Sequence, residues 1–122
     1  MISIDNTEKV TAIKIAVVVI YALLVGYASL SPASGLAIGS WDKLAHFLTY
    51  GMFAALVFGL VKSTKAYLYA CLAIVLYSGL MEVGQSFVPG RSMSAYDLLA
   101  NTLGVATAAL FIKTLAAKSA RP

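Results

Sequence analysis

The sequence predicts an all-α membrane protein, a bundle of four transmembrane helices. Of its 122 residues, 61% are hydrophobic and 11% are charged, whereas soluble domains contain about 25% charged residues. The apolar residues are gathered into four runs, each close to the roughly 20 residues that a helix needs to cross a bilayer. A single domain over residues 1–122 accounts for the chain, because these runs leave little sequence for a soluble part.

Short polar or turn-forming segments separate the four runs. The predicted helices cover approximately residues 13–30, 44–61, 66–88 and 95–112. The first ends before Ser31-Pro32, and Pro89-Gly90 forms the turn between the third and the fourth. Three of the helices are slightly short for a full crossing, which polar residues at their ends or a locally thinner bilayer would accommodate.

The first run also has features of a cleaved signal peptide, because a stretch of small residues, YASLSPASG, lies at and after its end. Two observations favour a retained helix. The leader carries Asp5 and Glu8 as well as Lys9 and Lys14, and the apolar run is longer than the usual core of a signal peptide. We therefore expect the first helix to stay in the protein.

Lysine and arginine residues predict the orientation of the bundle. Seven of them lie in the leader, in the loop after the second helix and in the tail: Lys9, Lys14, Lys62, Lys65, Lys113, Lys118 and Arg121. The other two loops contain only Lys43 and Arg91. Because positive residues stay on the cytoplasmic side, both termini are predicted to be cytoplasmic, with segments 31–43 and 89–96 facing outward. The same pattern explains the net charge of +4 without a nucleic-acid partner.

Polar residues inside the predicted helices lie near the outward side. At a rise of 1.5 Å per residue, His46 lies roughly 6 Å below Asp42, and Asn101 lies roughly 6 Å below Asp97, at the outer ends of their helices. Glu82 lies roughly 9 Å below the outer end of the third helix. A charge exposed to lipid at this depth costs several kcal/mol, so the three helices are expected to turn these side chains toward one another.

The spacing of further polar residues places them on the same helix faces. Tyr50 follows His46 by one turn, and Gln85 lies three residues after Glu82, and residues at these separations share a helix surface. Arg91, in the turn after the third helix, is placed to fold over the cluster, and its planar guanidinium suits a carboxylate or a phosphate. The sequence thus predicts a polar pocket at the outer membrane face.

Each of these residues also has a structural interpretation. Asp42 caps the second helix in that view, and Asp97 closes a capping box with Ser94 at the start of the fourth. Glu82 forms a buried ion pair with Arg91, and His46 is only a hydrogen-bonding group, because a lone histidine does not make a typical zinc site. A divalent ion held by Glu82, Asp97 and His46 is a further alternative, but neither a metal nor a cofactor is predicted.

Four short motifs follow one another along the chain: Asp42-Lys43-x-x-His46-Phe47-x-x-Tyr50, Glu82-x-x-Gln85, Pro89-Gly90-Arg91-Ser92 and Asp97-x-x-x-Asn101-x-x-Gly104. Their order and spacing resemble the VanZ-like family of small bacterial integral membrane proteins. The resemblance covers nearly the whole chain and implies a multi-pass protein of the bacterial cytoplasmic (inner) membrane. Because the family's eponym is associated with teicoplanin resistance, the resemblance links the chain to glycopeptide resistance at the cell envelope.

The pocket and the resemblance together lead to alternative functions. In the first, the pocket binds an anionic lipid-linked or glycopeptide ligand. The candidate ligand-binding residues are Asp42, Lys43, Tyr50, Gln85, Arg91, Asp97 and Asn101. In the second, the chain is a membrane enzyme that acts by acid–base chemistry on a lipid-linked envelope precursor, with His46 and Glu82 as candidate acid or base.

Other features of the sequence bear on these alternatives. The chain has no recognisable nucleophile elbow, zinc motif or P-loop, so the prediction of an enzyme stays open. A structural subunit of a larger membrane complex is a third alternative, and no oligomeric state is predicted. Transport is disfavoured, because the cytoplasmic halves of the helices offer no polar path.

Overall fold

In a computed structural model of the protein, residues 5–32 and 41–119 are described, and they form four α-helices without a strand among them. The helices are α1 (Asn6–Leu30), α2 (Trp41–Phe58), α3 (Thr64–Gln85) and α4 (Ala95–Ser119). The prediction of an all-α protein is confirmed. Arg121 and residues 33–40 of the predicted outer segment lie outside the described residues.

The helix ends differ from the ends of the apolar runs. The first helix begins at Asn6 instead of residue 13, and the fourth ends at Ser119 instead of residue 112. The added turns are rich in good helix formers such as glutamate, lysine and alanine, which continue a helix whether or not they are apolar. The second helix covers 41–58 rather than 44–61, because a turn at Gly59 stops it.

Three of the four helices, namely α1, α3 and α4, are long and apolar enough to cross a membrane. The 18 residues of α2 do not meet this criterion. They include Asp42, Lys43 and His46, which lower the mean hydropathy, and their length is roughly 27 Å at 1.5 Å per residue. Three crossings are thus supported by length and composition, and the fourth stays a prediction.

The surface of the bundle is apolar. Leu23, Leu80 and Leu110, on three different helices, are 68%, 67% and 69% exposed. Surface of this kind is unfavourable in water but matches the hydrocarbon of a bilayer. Together with the three candidate crossings, this indicates a membrane protein.

Side-chain contacts place the helix ends at two levels. At one level, Lys43 at the start of α2 contacts Asp97 at the start of α4, and Arg91 binds the end of α1. At the other level, the Lys14 Nζ lies 3.4 Å from the carbonyl oxygen of Gly59, just after α2. Successive helices therefore run in opposite directions, so that the starts of α2 and α4 lie near the ends of α1 and α3.

The closest helix contact joins α2 and α4. A Cβ atom added to Gly104 would lie 3.0 Å from the carbonyl carbon of Phe47 and would overlap its oxygen. A Cβ added to Gly51 would lie 3.3 Å from the carbonyl oxygen of Gly104. Small residues let membrane helices approach this closely, and packing replaces the hydrophobic drive that is absent between helices in lipid. This contact fixes the register of the polar residues on the two helices.

Aromatic side chains fill the middle of the bundle and tie α1 to it. The ring of Phe53 makes edge contacts with Tyr21 and Tyr77, with centroids 5.4 and 5.8 Å away. The Tyr21 hydroxyl donates to the carbonyl oxygen of Thr49, and the Tyr77 hydroxyl to that of Ala22, both at 2.5 Å. These bonds satisfy the hydroxyls in an apolar setting. The aromatic side chains also form a packed layer directly below the polar end of the bundle.

Candidate functional site

Polar side chains from three helices meet at the end of the bundle where α2 and α4 begin. This polar cluster consists of Asp42, Lys43, His46, Glu82, Gln85, Asp97 and Asn101. The four members on α3 and α4 are nearly inaccessible, with exposures of 2% for Glu82, 4% for Gln85, 8% for Asp97 and 1% for Asn101. The structure therefore places seven of the predicted site residues together, with Tyr50 one turn below them.

Charged groups connect α2 to α4 within the cluster. The Lys43 ammonium contacts the Asp97 carboxylate and lies 3.2 Å from Asp42 Oδ2. The Nε2 atom of His46 lies 3.7 Å from Asp42 Oδ1 and 3.6 Å from Asp97 Oδ2. Two carboxylates thus face the imidazole edge that points away from Asn101, and both also contact the Lys43 ammonium.

Asn101 orients the imidazole of His46. Its Oδ1 lies 2.9 Å from His46 Nδ1. A carbonyl oxygen only accepts hydrogen bonds, so Nδ1 is the donor and carries a proton. A neutral His46 ring therefore presents the lone pair of Nε2 to the two aspartates, as a base or a ligand requires.

Glu82 belongs to no ion pair among the described residues. Its Oε2 accepts a hydrogen bond of 3.2 Å from the backbone N–H of Ser94, and Ser94 Oγ in turn accepts one of 3.2 Å from the N–H of Asp97. Ser94 is therefore the N-cap of α4, as the predicted capping box requires. In a capping box, the N–H of the N-cap residue also donates to the side chain three residues later, which here is Asp97. In this structure Glu82 of α3 accepts that bond instead, so the Asp97 carboxylate is free to face α2.

Arg91 hydrogen-bonds the end of α1, whereas the sequence predicts that it folds over the cluster. Its Nε donates to the carbonyl oxygen of Ser31 at 2.6 Å, and its Nη2 to that of Ala28 at 3.0 Å. The last carbonyl groups of a helix have no partner within it and form the negative end of its dipole, so they attract a cation. The Glu82–Arg91 ion pair is accordingly not formed.

A cavity of about 370 Å³ opens beside the cluster, between α1, α2 and α3. Its apolar wall comes from α1, including Leu24 and Val25, and its polar wall includes Asp42, His46 and Gln85. The Gln85 amide makes no hydrogen bond to another described residue, although Gln85 is 96% buried. An amide that lines the cavity and has no partner among the described residues is suited to hydrogen-bond a molecule there.

The wall from α1 could not be predicted from the sequence. Tyr21 and Ser29 line the cavity, but both lie in a run that carries no polar motif. The role of Ser94 was predicted only as a cap, because its backbone contact with Glu82 depends on how α3 meets α4. The available signal for this wall was the presence of tyrosine and serine residues in α1, which is otherwise aliphatic.

The sequence model of the VanZ/LLP1 family matches residues 4–116. The matched region contains every member of the polar cluster and most of the length of the four helices. No curated protein and no solved structure is significantly similar to the chain.

Proposed function

The chain belongs to the VanZ/LLP1 family, and we propose on this basis that it is a cell-envelope protein that binds a ligand at the outer face of the bacterial cytoplasmic membrane. One observation carries the proposal: four polar side chains, each at most 8% exposed, are buried at one end of the bundle beside a cavity. Burying polar groups in a membrane protein costs free energy, so their concentration at one end indicates a site.

The charges and the helix directions support the proposed orientation of this site. Lys14 and the loop with Lys62 and Lys65 lie at the end of the bundle opposite the cluster. Positive residues stay cytoplasmic, which supports cytoplasmic termini and an outward-facing cluster. If α1 ends outside and α3 begins inside, α2 must make the fourth crossing between them. Its polar first turn then lies in the outer headgroup region, next to the exposed ring of Trp41.

The two walls of the cavity support an amphiphilic ligand. An apolar part would lie against Leu24 and Val25, and a polar part would bind the side of Asp42, His46 and Gln85. Both a lipid-linked envelope precursor and a lipid-bearing glycopeptide meet this description. The family's link to teicoplanin makes a glycopeptide the first ligand to test.

An enzyme acting by acid–base chemistry is the second candidate, and the arrangement of His46 favours it. Its Nδ1 is held by Asn101, and its Nε2 faces Asp42 and Asp97 beside the cavity. An oriented imidazole next to carboxylates is able to exchange a proton with a bound substrate. Glu82 is less suited to this role, because its side chain does not line the cavity and its Oε2 already accepts a hydrogen bond from the Ser94 N–H.

Thiol labelling in intact cells tests both the orientation and the pocket. In a Cys71→Ala background, we expect a membrane-impermeant maleimide to label a Ser29→Cys variant, whose thiol would line the outward cavity. A Ser119→Cys variant at the end of α4 should react only after the cells are permeabilised. Teicoplanin bound in the cavity should slow the labelling of Ser29→Cys by about tenfold, which corresponds to about 90% occupancy.

A Met93→Cys variant is the matched control for protection. Met93 is 56% exposed and lies in the loop before α4, away from the cavity lining. Its labelling should be as fast with teicoplanin as without it. Labelling of Ser119→Cys but not of Ser29→Cys in intact cells would overturn the orientation. Equal labelling of Ser29→Cys with and without teicoplanin would remove the glycopeptide from the proposal.

A further inference from the structure

We propose that Asp42, His46 and Asp97 form a binding site for a divalent transition-metal ion such as Zn²⁺. The site lies within the polar cluster, beside the cavity. The inference does not depend on which amphiphile the cavity binds. A metal ion there would add the positive charge that an anionic ligand needs and that Arg91, bound to α1, does not supply.

Two distances within this triad, both from His46, are close to those around a metal ion. One ligand atom from each of the three residues lies within 4.8 Å of the other two. His46 Nε2 is 3.7 Å from Asp42 Oδ1 and 3.6 Å from Asp97 Oδ2. Zinc lies about 2.0–2.2 Å from nitrogen and oxygen ligands, so neighbouring ligand atoms of a tetrahedral site are about 3.4 Å apart. The two distances from His46 Nε2 are thus within a few tenths of an ångström of those around a zinc ion. The ligand atoms of the two aspartates lie within 4.8 Å of each other and would have to move closer when the ion binds.

The three atoms are also of the right chemical kind. Both carboxylate oxygens only accept hydrogen bonds, and both lie beyond the distance of a good hydrogen bond from His46 Nε2. Because His46 Nδ1 donates to Asn101 Oδ1, a neutral ring directs the Nε2 lone pair at the same point. Three converging acceptors favour a cation between them. The Nδ1–H···O bond is the outer-shell contact that usually orients a metal-binding histidine.

Gln85 gives independent support for a ligand at this place. It is 96% buried, its amide makes no hydrogen bond to another described residue, and it lines the same cavity as Asp42 and His46. With three protein ligands, a zinc ion keeps a fourth position for water or substrate. A molecule bound at that position would be able to hydrogen-bond the Gln85 amide.

In this structure the Lys43 ammonium provides the positive charge beside the triad that a metal ion would otherwise provide. This makes the proposal testable. Its ammonium contacts the carboxylates of Asp42 and Asp97, yet its side chain is 48% exposed. A long exposed lysine side chain is free to swing into the headgroup region. Lys43 and a metal ion would therefore compete for the same carboxylates, so that removing the lysine should strengthen metal binding.

Isothermal titration of the purified full-length chain in detergent, with its purification tag removed, measures this competition. We expect one Zn²⁺ ion per chain, and about tenfold tighter binding by Lys43→Gln, because one nearby positive charge is removed. Asp42→Asn should abolish saturable binding. Asn101→Ala should weaken it by about 10–100-fold, as loss of an outer-shell partner does.

Two controls show whether Zn²⁺ binding is specific to the cluster and whether the Asp42→Asn variant is folded. Glu8→Gln removes an exposed carboxylate far from the cluster and should leave Zn²⁺ affinity unchanged. The Asp42 side chain is 39% exposed, so Asp42→Asn should still fold, which gel filtration and circular dichroism would verify. The proposal is overturned if neither the wild-type chain nor Lys43→Gln binds Zn²⁺ saturably. It is also overturned if Asp42→Asn binds as tightly as the wild type, since the ion would then lie elsewhere.

Discussion

Replacement of Gly104 by valine is expected to prevent accumulation of the folded protein. A Cβ atom at this position would overlap the carbonyl oxygen of Phe47, which belongs to the backbone of α2 and cannot move aside as a side chain would. The two helices would have to separate, and the expected loss of stability is more than about 3 kcal/mol, the upper end for overpacking. The yield of monodisperse protein in detergent and its melting temperature measure the effect.

Gly79 provides the matched control for this substitution. It is also a helical glycine, in α3, but a Cβ atom added there would meet nothing within 4 Å. Gly79→Val should therefore keep the yield and melting temperature of the wild type. A folded Gly104→Val variant with wild-type stability would show that the α2–α4 contact is looser than described. The register of the polar residues on these two helices would then also be wrong.

Arg91→Ala is expected to lower the free energy of unfolding by about 2–3 kcal/mol. The substitution removes two hydrogen bonds from a guanidinium to the end of α1, and bonds to a charged group contribute about 1.5–3 kcal/mol each, less where water replaces them. Few other polar contacts hold α1. Val25 is the one buried residue among the described residues of this helix, so the bonds from Arg91 form a large part of its attachment. Chemical denaturation of the purified variant measures the loss.

Two variants separate this effect from a simple loss of charge. Lys113→Ala removes an exposed cation of α4 and should leave stability unchanged. Arg91→Lys should fall between the wild type and Arg91→Ala, because an ammonium keeps the charge but not the planar fork. Unchanged stability of Arg91→Ala together with weaker binding of an anionic ligand would instead restore the role that the sequence predicted for Arg91.

Helical periodicity explains why much of the site was predictable. His46 and Asp42, like Asn101 and Asp97, are one turn apart, and a helix fixes which side chains share a face. In a chain this apolar, such faces have to meet one another to avoid lipid. The sequence therefore located the cluster without giving its contacts.

Other features depend on tertiary contacts that a local pattern does not contain. Arg91 lies in a turn, where its long side chain has several acceptors within reach, and the end of α1 is one of them. Glu82 bonds the Ser94 backbone only because α3 and α4 meet at that point. The polar first turn of α2 was predicted as a loop, since hydropathy marks the apolar run and not the helix.

The central claim is that the polar cluster is kept for binding and not for stability, although its contacts link the helices. The melting temperature of Glu82→Gln against the wild type, in the same detergent at pH 7, tests it most directly. Glutamine still accepts a hydrogen bond from the Ser94 N–H and replaces the carboxyl group of a residue that is 2% exposed with a neutral amide. We therefore expect an unchanged or higher melting temperature. A loss of about 3–5 kcal/mol, as when one partner of a buried ion pair is removed, would contradict the claim and make Glu82 part of a structural network.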